Sequence, residues 1–248
     1  VGLFSGCLQA DARDASAYAR LMGGQRAQLL LTDPPYCLLT RRRKGGDLRD
    51  PRAHKKIDHE AVVRFESVRD YRAFTAEWLP HALAQLAPEA PAVLWTNLLG
   101  RGPLLEVAAS CGYAHHAGDF TWAKRTTDKN ANEHLLRVYE VALVLTRAPL
   151  PPLAPADPPR CWSSVTAYEE GEAEATGHHP HHKPFGALEA LVRQYSRPGA
   201  VVLDVFAGSG SIPAAAQRLG RTPACMELRP EWARAVTARL HRGARQPR

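Results

Sequence analysis

Leu29-Leu30-Leu31-Thr32-Asp33-Pro34-Pro35-Tyr36 is the stretch on which the fold turns. Three leucines run into a carboxylate, two prolines and an aromatic ring. The apolar run reads as a buried strand. The prolines stop it, because they lack a ladder N–H and fix the backbone. Asp33 and Tyr36 are therefore expected at the carboxyl end of a strand, on stiff backbone. In an open α/β sheet, ligands bind along that edge. A carboxylate beside a flat ring suits a planar base carrying an amino group: the carboxylate accepts from the N–H, and the ring stacks on the face. The same four residues, Asp33, Pro34, Pro35 and Tyr36, also suit a plain turn after a strand, and the stretch alone leaves both readings open.

Upstream, Leu3 to Leu8 reads as a short strand. Asp14 is an N-cap for a helix through Leu21, and Gly23-Gly24 ends it. With the strand at 27–32 this makes a β-α-β unit, which favours a parallel pair. Downstream, residues 41–56 lose all apolar periodicity. Arg41, Arg42, Arg43, Lys44, Arg49, Arg52, Lys55 and Lys56 stand against Asp47 and Asp50. Such runs are commonly solvated surface. Just after a candidate catalytic edge, this one reads as a loop that grips phosphates.

A helix is predicted at about 68–86 and strands at 91–96, 119–123 and 138–146, with a helix near 103–111. The last two strands have no helix between them, which favours an antiparallel pair. Six of the twelve residues from Ala148 to Pro159 are proline, a stiff connector. Residues 160–177 are mixed and acidic. His178, His179, His181 and His182 follow on a proline-broken loop, without cysteine or helical spacing. No metal site is expected there.

The second informative stretch is Ala200-Val201-Val202-Leu203-Asp204-Val205-Phe206-Ala207-Gly208-Ser209-Gly210. It reads as a buried strand and a glycine turn, and Ser211 to Leu219 as a helix. That order lets a ligand approach backbone at a helix N-terminus. The next strand, from Thr222, ends in Glu227, where an acid binds ribose hydroxyls. A helix from Pro230 to Leu240 closes the chain.

The 248 residues suffice for a large α/β domain and are 45% hydrophobic. The formal charge of +7 suits a polyanionic partner. Five scattered cysteines, an odd number without metal spacing, read as reduced thiols. No apolar run reaches membrane-spanning length, and no signal peptide is evident.

Together the motifs resemble the DNA amino-methyltransferases. That family pairs a [DNS]-P-P-[YFW] motif, here Asp33 to Tyr36, with F-x-G-x-G, here Phe206 to Gly210. The catalytic motif comes first, as in the β group, a circular permutation of the common order. His179-Pro180-His181-His182-Lys183-Pro184 fits that group's H-P-x-x-K-P lead-in to the helix before the cofactor strand. Weaker echoes are Ala10-Asp11 and Trp122-Ala123-Lys124. The match covers about residues 3–36 and 88–242.

The resemblance implies a Rossmann-like α/β methyltransferase fold with a mixed sheet of about seven strands. The first strand would lie beside the one ending in Glu227. Residues 1–248 would form a single domain, with a basic loop at 37–66 and a short target-recognition insert at 148–178. The cofactor implied is S-adenosylmethionine. Asp11, Lys183, Asp204, Phe206, Ala207, Gly208, Ser209, Gly210 and Glu227 would hold it: Glu227 on the ribose, Asp11 on adenine, Lys183 near the methionine carboxylate and Asp204 near its amino group. Asp33 and the Pro34 carbonyl would receive the exocyclic amine of a flipped base, with Tyr36 stacking on it. The implied activity is transfer to adenine N6, slightly favoured, or cytosine N4. RNA amino-methylation and a non-catalytic nucleic-acid-binding module are the alternatives. The partners expected are DNA and, at most, a second copy of the chain. A cytoplasmic, nucleoid-associated location follows. No nuclease motif is visible, so a modification enzyme without its own restriction activity is implied.

Overall fold

The computed structural model describes residues 2–40, 63–124, 138–149, 160–164 and 182–243. In chain order the elements are β1 (Cys7–Gln9), α1 (Ala15–Met22), β2 (Leu29–Thr32), α2 (Val68–Leu83), β3 (Ala92–Thr96), α3 (Leu98–Ser110) and β4 (His115–Lys124). Then come β5 (Val138–Thr146), β6 (Cys161–Ser164), α4 (Phe185–Tyr195), β7 (Val201–Asp204), α5 (Ser211–Arg218), β8 (Thr222–Glu227) and α6 (Pro230–Gly243).

The local signals act as their chemistry dictates. Asp14 caps α1 by accepting from the Ser16 N–H, and Gly23 closes it in the left-handed region at φ 52°. Ser67 caps α2 through the Asp70 N–H. In β2 the leucines alternate between two apolar layers. Leu30 joins Tyr18, Leu21, Trp78 and Leu79 on one face, and Leu29 and Leu31 join Trp95, Leu188, Leu191 and Ile212 on the other. A strand buried on both faces reads as a continuous apolar run, which is why the three leucines are consecutive.

The sheet runs β1-β8-β7-β2-β3-β5-β4-β6. The central strands are parallel, and β5 is antiparallel to both β3 and β4. The first strand pairs with the one ending in Glu227, with Gln9 opposite Glu227. Two expectations need correction. The sheet has eight strands among the described residues, not about seven. The extra one is β6, an edge strand parallel to β4 within the stretch read as an insert. Its sequence, Cys-Trp-Ser-Ser, carries no apolar alternation. Trp162 docks it instead: the indole lies so close to Gly186 that a Cβ there would meet the ring at 2.1 Å. The β1-α1-β2 unit is parallel, but its strands are not neighbours, because β8 and β7 lie between them.

No helix among the described residues is long and apolar enough to cross a membrane. The basic residues Arg41 to Lys56, and His178, His179 and His181, lie outside the described residues.

Candidate active site

Both motifs reach the carboxyl edge of the sheet on adjacent strands, because β2 pairs with β7. Thr32 joins them. Its hydroxyl donates to Asp204 Oδ1 at 2.7 Å and accepts from the Val205 N–H at 3.3 Å. Thr32 is the residue before Asp33, so this bond fixes the start of the first motif against the end of β7.

After the motif the chain is pinned. The Leu38 N–H donates to the Tyr36 carbonyl at 2.7 Å, and Asn97 Nδ2 donates to the Cys37 carbonyl at 3.0 Å. Thr40 and Phe65 then pair across the base of the basic segment, at 2.9 Å. The segment expected to grip phosphate therefore leaves and rejoins the described chain close to the motif. Cys37 is buried, and burial pushes its thiol up in pKa, as suits a packing residue.

The Asp33 side chain is 16% exposed and meets Lys183, which is 4% exposed. The Lys183 ammonium donates to Asp33 Oδ2 and, at 3.0 Å, to Glu140 Oε2. It lies 5.3 Å from the centre of the Trp95 ring and 5.4 Å from that of Tyr36, within cation–π range. The Tyr36 hydroxyl donates to the same Glu140 oxygen at 2.6 Å. Burial alone would push the lysine pKa down. The two carboxylates beside it more than reverse that, and its pKa is raised, so it stays charged. Burial, with Asp33 and Glu140 nearby, pushes the Tyr36 phenol well above its ordinary value, so Tyr36 is a neutral donor. Among the described residues, two carboxylates, Asp33 and Glu140, meet one ammonium here. A carboxylate at such an edge suits a neutral amine that becomes a cation as it reacts.

The glycine turn is built differently. Gly208 and Gly210 have φ of 49° and 78°. A Cβ on Gly210 would also strike Arg239 and Val236 at 2.7 and 2.8 Å, so only glycine fits there. Glu227 Oε2 accepts from the Gly208 N–H at 2.9 Å, and its Oε1 accepts from the Arg229 N–H at 3.0 Å. The Ala207 N–H donates to the Met226 carbonyl, and Arg239 donates to the Ser209 carbonyl. Phe206 packs edge-on against Trp78, with ring centres 4.9 Å apart. Asp204 is buried, and its Oδ2 has no hydrogen-bond partner among the described residues. Burial pushes its carboxyl up to about 7.

Asp11 lies at an open depression of about 550 Å³ shared with Arg13, Asp14, Ala76, Glu77 and His81. Arg13 donates to its carboxylate at 2.7 Å and holds its pKa below the usual range.

The structure therefore groups Asp33, Tyr36 and Lys183 in one cluster, and Phe206 to Gly210 with Glu227 in another. Lys183, expected near a methionine carboxylate, is held by Asp33 and Glu140. Motif reading missed Glu140 and Thr32. A glutamate two residues before Ala142 on an otherwise apolar strand was the available signal.

Residues 27–238 match the model of the N6/N4 methyltransferase family, described as DNA methylase. The chain belongs to that family. It is an S-adenosylmethionine-dependent DNA amino-methyltransferase. YubD of Escherichia coli (strain K12), itself named only as a candidate methylase, is 28% identical over 221 residues, 88% of this chain and 83% of that one. Among solved structures, the M1.HpyAVI–SAM complex superposes with a TM-score of 0.68 at 18% identity, covering 95% of this methylase and 98% of that chain. The cytosine-N4-specific PvuII DNA methyltransferase gives 0.66 at 18% identity, covering 96% and 87%. At such identities the superpositions speak for the fold, and the methylase shares it.

Proposed function

We propose that this methylase modifies the exocyclic amino nitrogen of a base swung out of the DNA duplex, adenine N6 ahead of cytosine N4. The observation that carries the reading is the Asp33 carboxylate at the strand edge, with Lys183, Glu140 and the Tyr36 ring gathered around it. An exocyclic nitrogen is a poor nucleophile, because its lone pair is delocalised into the base. Hydrogen bonds from its protons to Asp33 and the Pro34 carbonyl draw it toward tetrahedral geometry. The Asp33 carboxylate then stabilises the cation that forms on nitrogen. Tyr36 faces the extruded base and offsets part of the unstacking cost.

The residues around the glycine turn suit S-adenosylmethionine. The unpartnered, buried Asp204 oxygen fits an ammonium, and Glu227, at the end of the next strand, fits ribose hydroxyls. When bound, the cofactor supplies an electrophilic sulfonium methyl. Asp11, which lines an open depression and is paired with Arg13, is assigned to the adenine amino group. The basic residues of 41–56 are assigned to the phosphate backbone, and 148–178 to target recognition.

Incubation with unmethylated DNA, digestion to nucleosides and mass spectrometry test this reading. N6-methyldeoxyadenosine is the expected product. N4-methyldeoxycytidine would move the assignment to cytosine, and the absence of both products on DNA bearing varied sequences would overturn this reading of the target base.

A further inference from the structure

Glu140 belongs to neither motif. Strand alternation puts it on the face of β5 that carries Ala142 and Val144, both in the apolar layer with Trp95, Phe120 and α4. A carboxylate on such a face is costly unless partners hold it. At 14% exposed, its Oε2 accepts from Tyr36 and Lys183 together. One oxygen on β5 thus ties the aromatic ring of the motif to the cation that faces its carboxylate. Lys183 has two carboxylate partners among the described residues, Asp33 and Glu140.

We propose that Glu140 is a positioning residue for methyl transfer, which shares the Lys183 ammonium with Asp33 and sets the Tyr36 ring beside them. This rests on the reading of Asp33 as the group that receives the target amine. The ammonium holds Asp33 Oδ2, so an amine arriving at Asp33 shares the carboxylate with it. Glu140 gives Lys183 a second anchor, so the ammonium yields a position on Asp33 without leaving the site. Without that anchor Lys183 holds Asp33 alone and competes harder. The Tyr36 hydroxyl loses its charged acceptor at the same time, which loosens the ring.

The test is Glu140→Gln, which keeps shape and a hydrogen-bond acceptor and removes charge. Single-turnover methyl transfer should slow roughly ten- to a hundredfold, the scale of a displaced catalytic group. S-adenosylmethionine affinity by calorimetry and Tm should stay near wild type. In a Lys183→Met background, Glu140→Gln should cost less than it does alone, because only its hold on Tyr36 is left to lose. A rate within about twofold of wild type, losses that multiply, or a rate that falls only in step with Tm would each overturn the proposal. If the glutamine variant does not fold, Glu140→Asp decides. A slower rate at unchanged Tm and cofactor affinity supports positioning, and an unchanged rate overturns it. Asp33→Ala is measured alongside. Loss there with none in Glu140→Gln removes Glu140 alone. Activity kept in Asp33→Ala removes the reading beneath it, and the proposal with it.

Discussion

Around Gly208 and Gly210 the sheet edge is shaped by backbone; around Asp33, one strand away, it is shaped by charged side chains. In the glycine turn, a main-chain N–H group meets Glu227, and the glycines take positive φ. Its parts come from a single strand-turn-helix-strand segment. Around Asp33, the partners Glu140 and Lys183 come from β5 and from the lead-in to α4, and the Lys183–Asp33 contact spans 150 residues. A backbone site is set once the local chain folds. A side-chain cluster of this kind is set only when three distant elements dock, and losing one member leaves a buried charge behind. The two halves should therefore respond differently to substitution.

The largest effect is expected at Asp33. Asp33→Ala should slow methyl transfer by roughly a hundred- to a thousandfold. Cofactor affinity should hold, because Asp33 is held by Lys183, one strand away from the glycine turn. Turnover within about threefold of wild type would place the chemistry elsewhere.

Glu227→Ala tests the other half. It removes the acceptor for the Gly208 and Arg229 N–H groups and, on the proposed reading, for the ribose hydroxyls. Loss of a charge-assisted bond weakens S-adenosylmethionine by about 1–3 kcal/mol. Titration calorimetry showing unchanged affinity would move the cofactor off this turn and erase the contrast between the halves.

Tyr36 sharpens it. Tyr36→Ala should slow transfer on matched duplex by roughly ten- to a hundredfold, the value of one base–aromatic stack. The loss should shrink on mismatched or single-stranded DNA, where less unstacking is needed. Equal losses on all three substrates, tracking a fall in Tm, would make Tyr36 a structural turn residue.

The smallest effect concerns Asp204, which lies between the halves. Its carboxyl is pushed from 3.8 to about 7 by burial. Between those values the folded protein keeps a proton that the unfolded chain has lost. This group's contribution to stability therefore falls as pH rises from about 4 to about 7. Asp204→Asn should flatten that part of the Tm–pH curve, at about 2–4 °C per kcal/mol for a chain of this size. An unchanged slope would mean that Asp204 is ionised in the fold.

The sequence determined what local physics controls. Asp14 and Gly23 mark the ends of α1, the three leucines of β2 mark a strand buried on both faces, and Gly208, Gly210 and Glu227 mark a turn with its acid. Each is specified by neighbours a few residues away or by one strand-to-strand step, so a motif carries it. Strand order was legible only in part. The pairing of β1 with β8 followed from the permuted motif order, whereas the β6 edge strand is held by Trp162 against Gly186, a contact no periodicity announces. Tertiary structure alone decided that Lys183 faces Asp33, that Glu140 anchors both Lys183 and Tyr36, and that Thr32 ties the two motifs together. Those are side-chain bonds between residues far apart in the chain. Their partners are chosen by how the layers pack, and that choice leaves no spacing in the sequence to read.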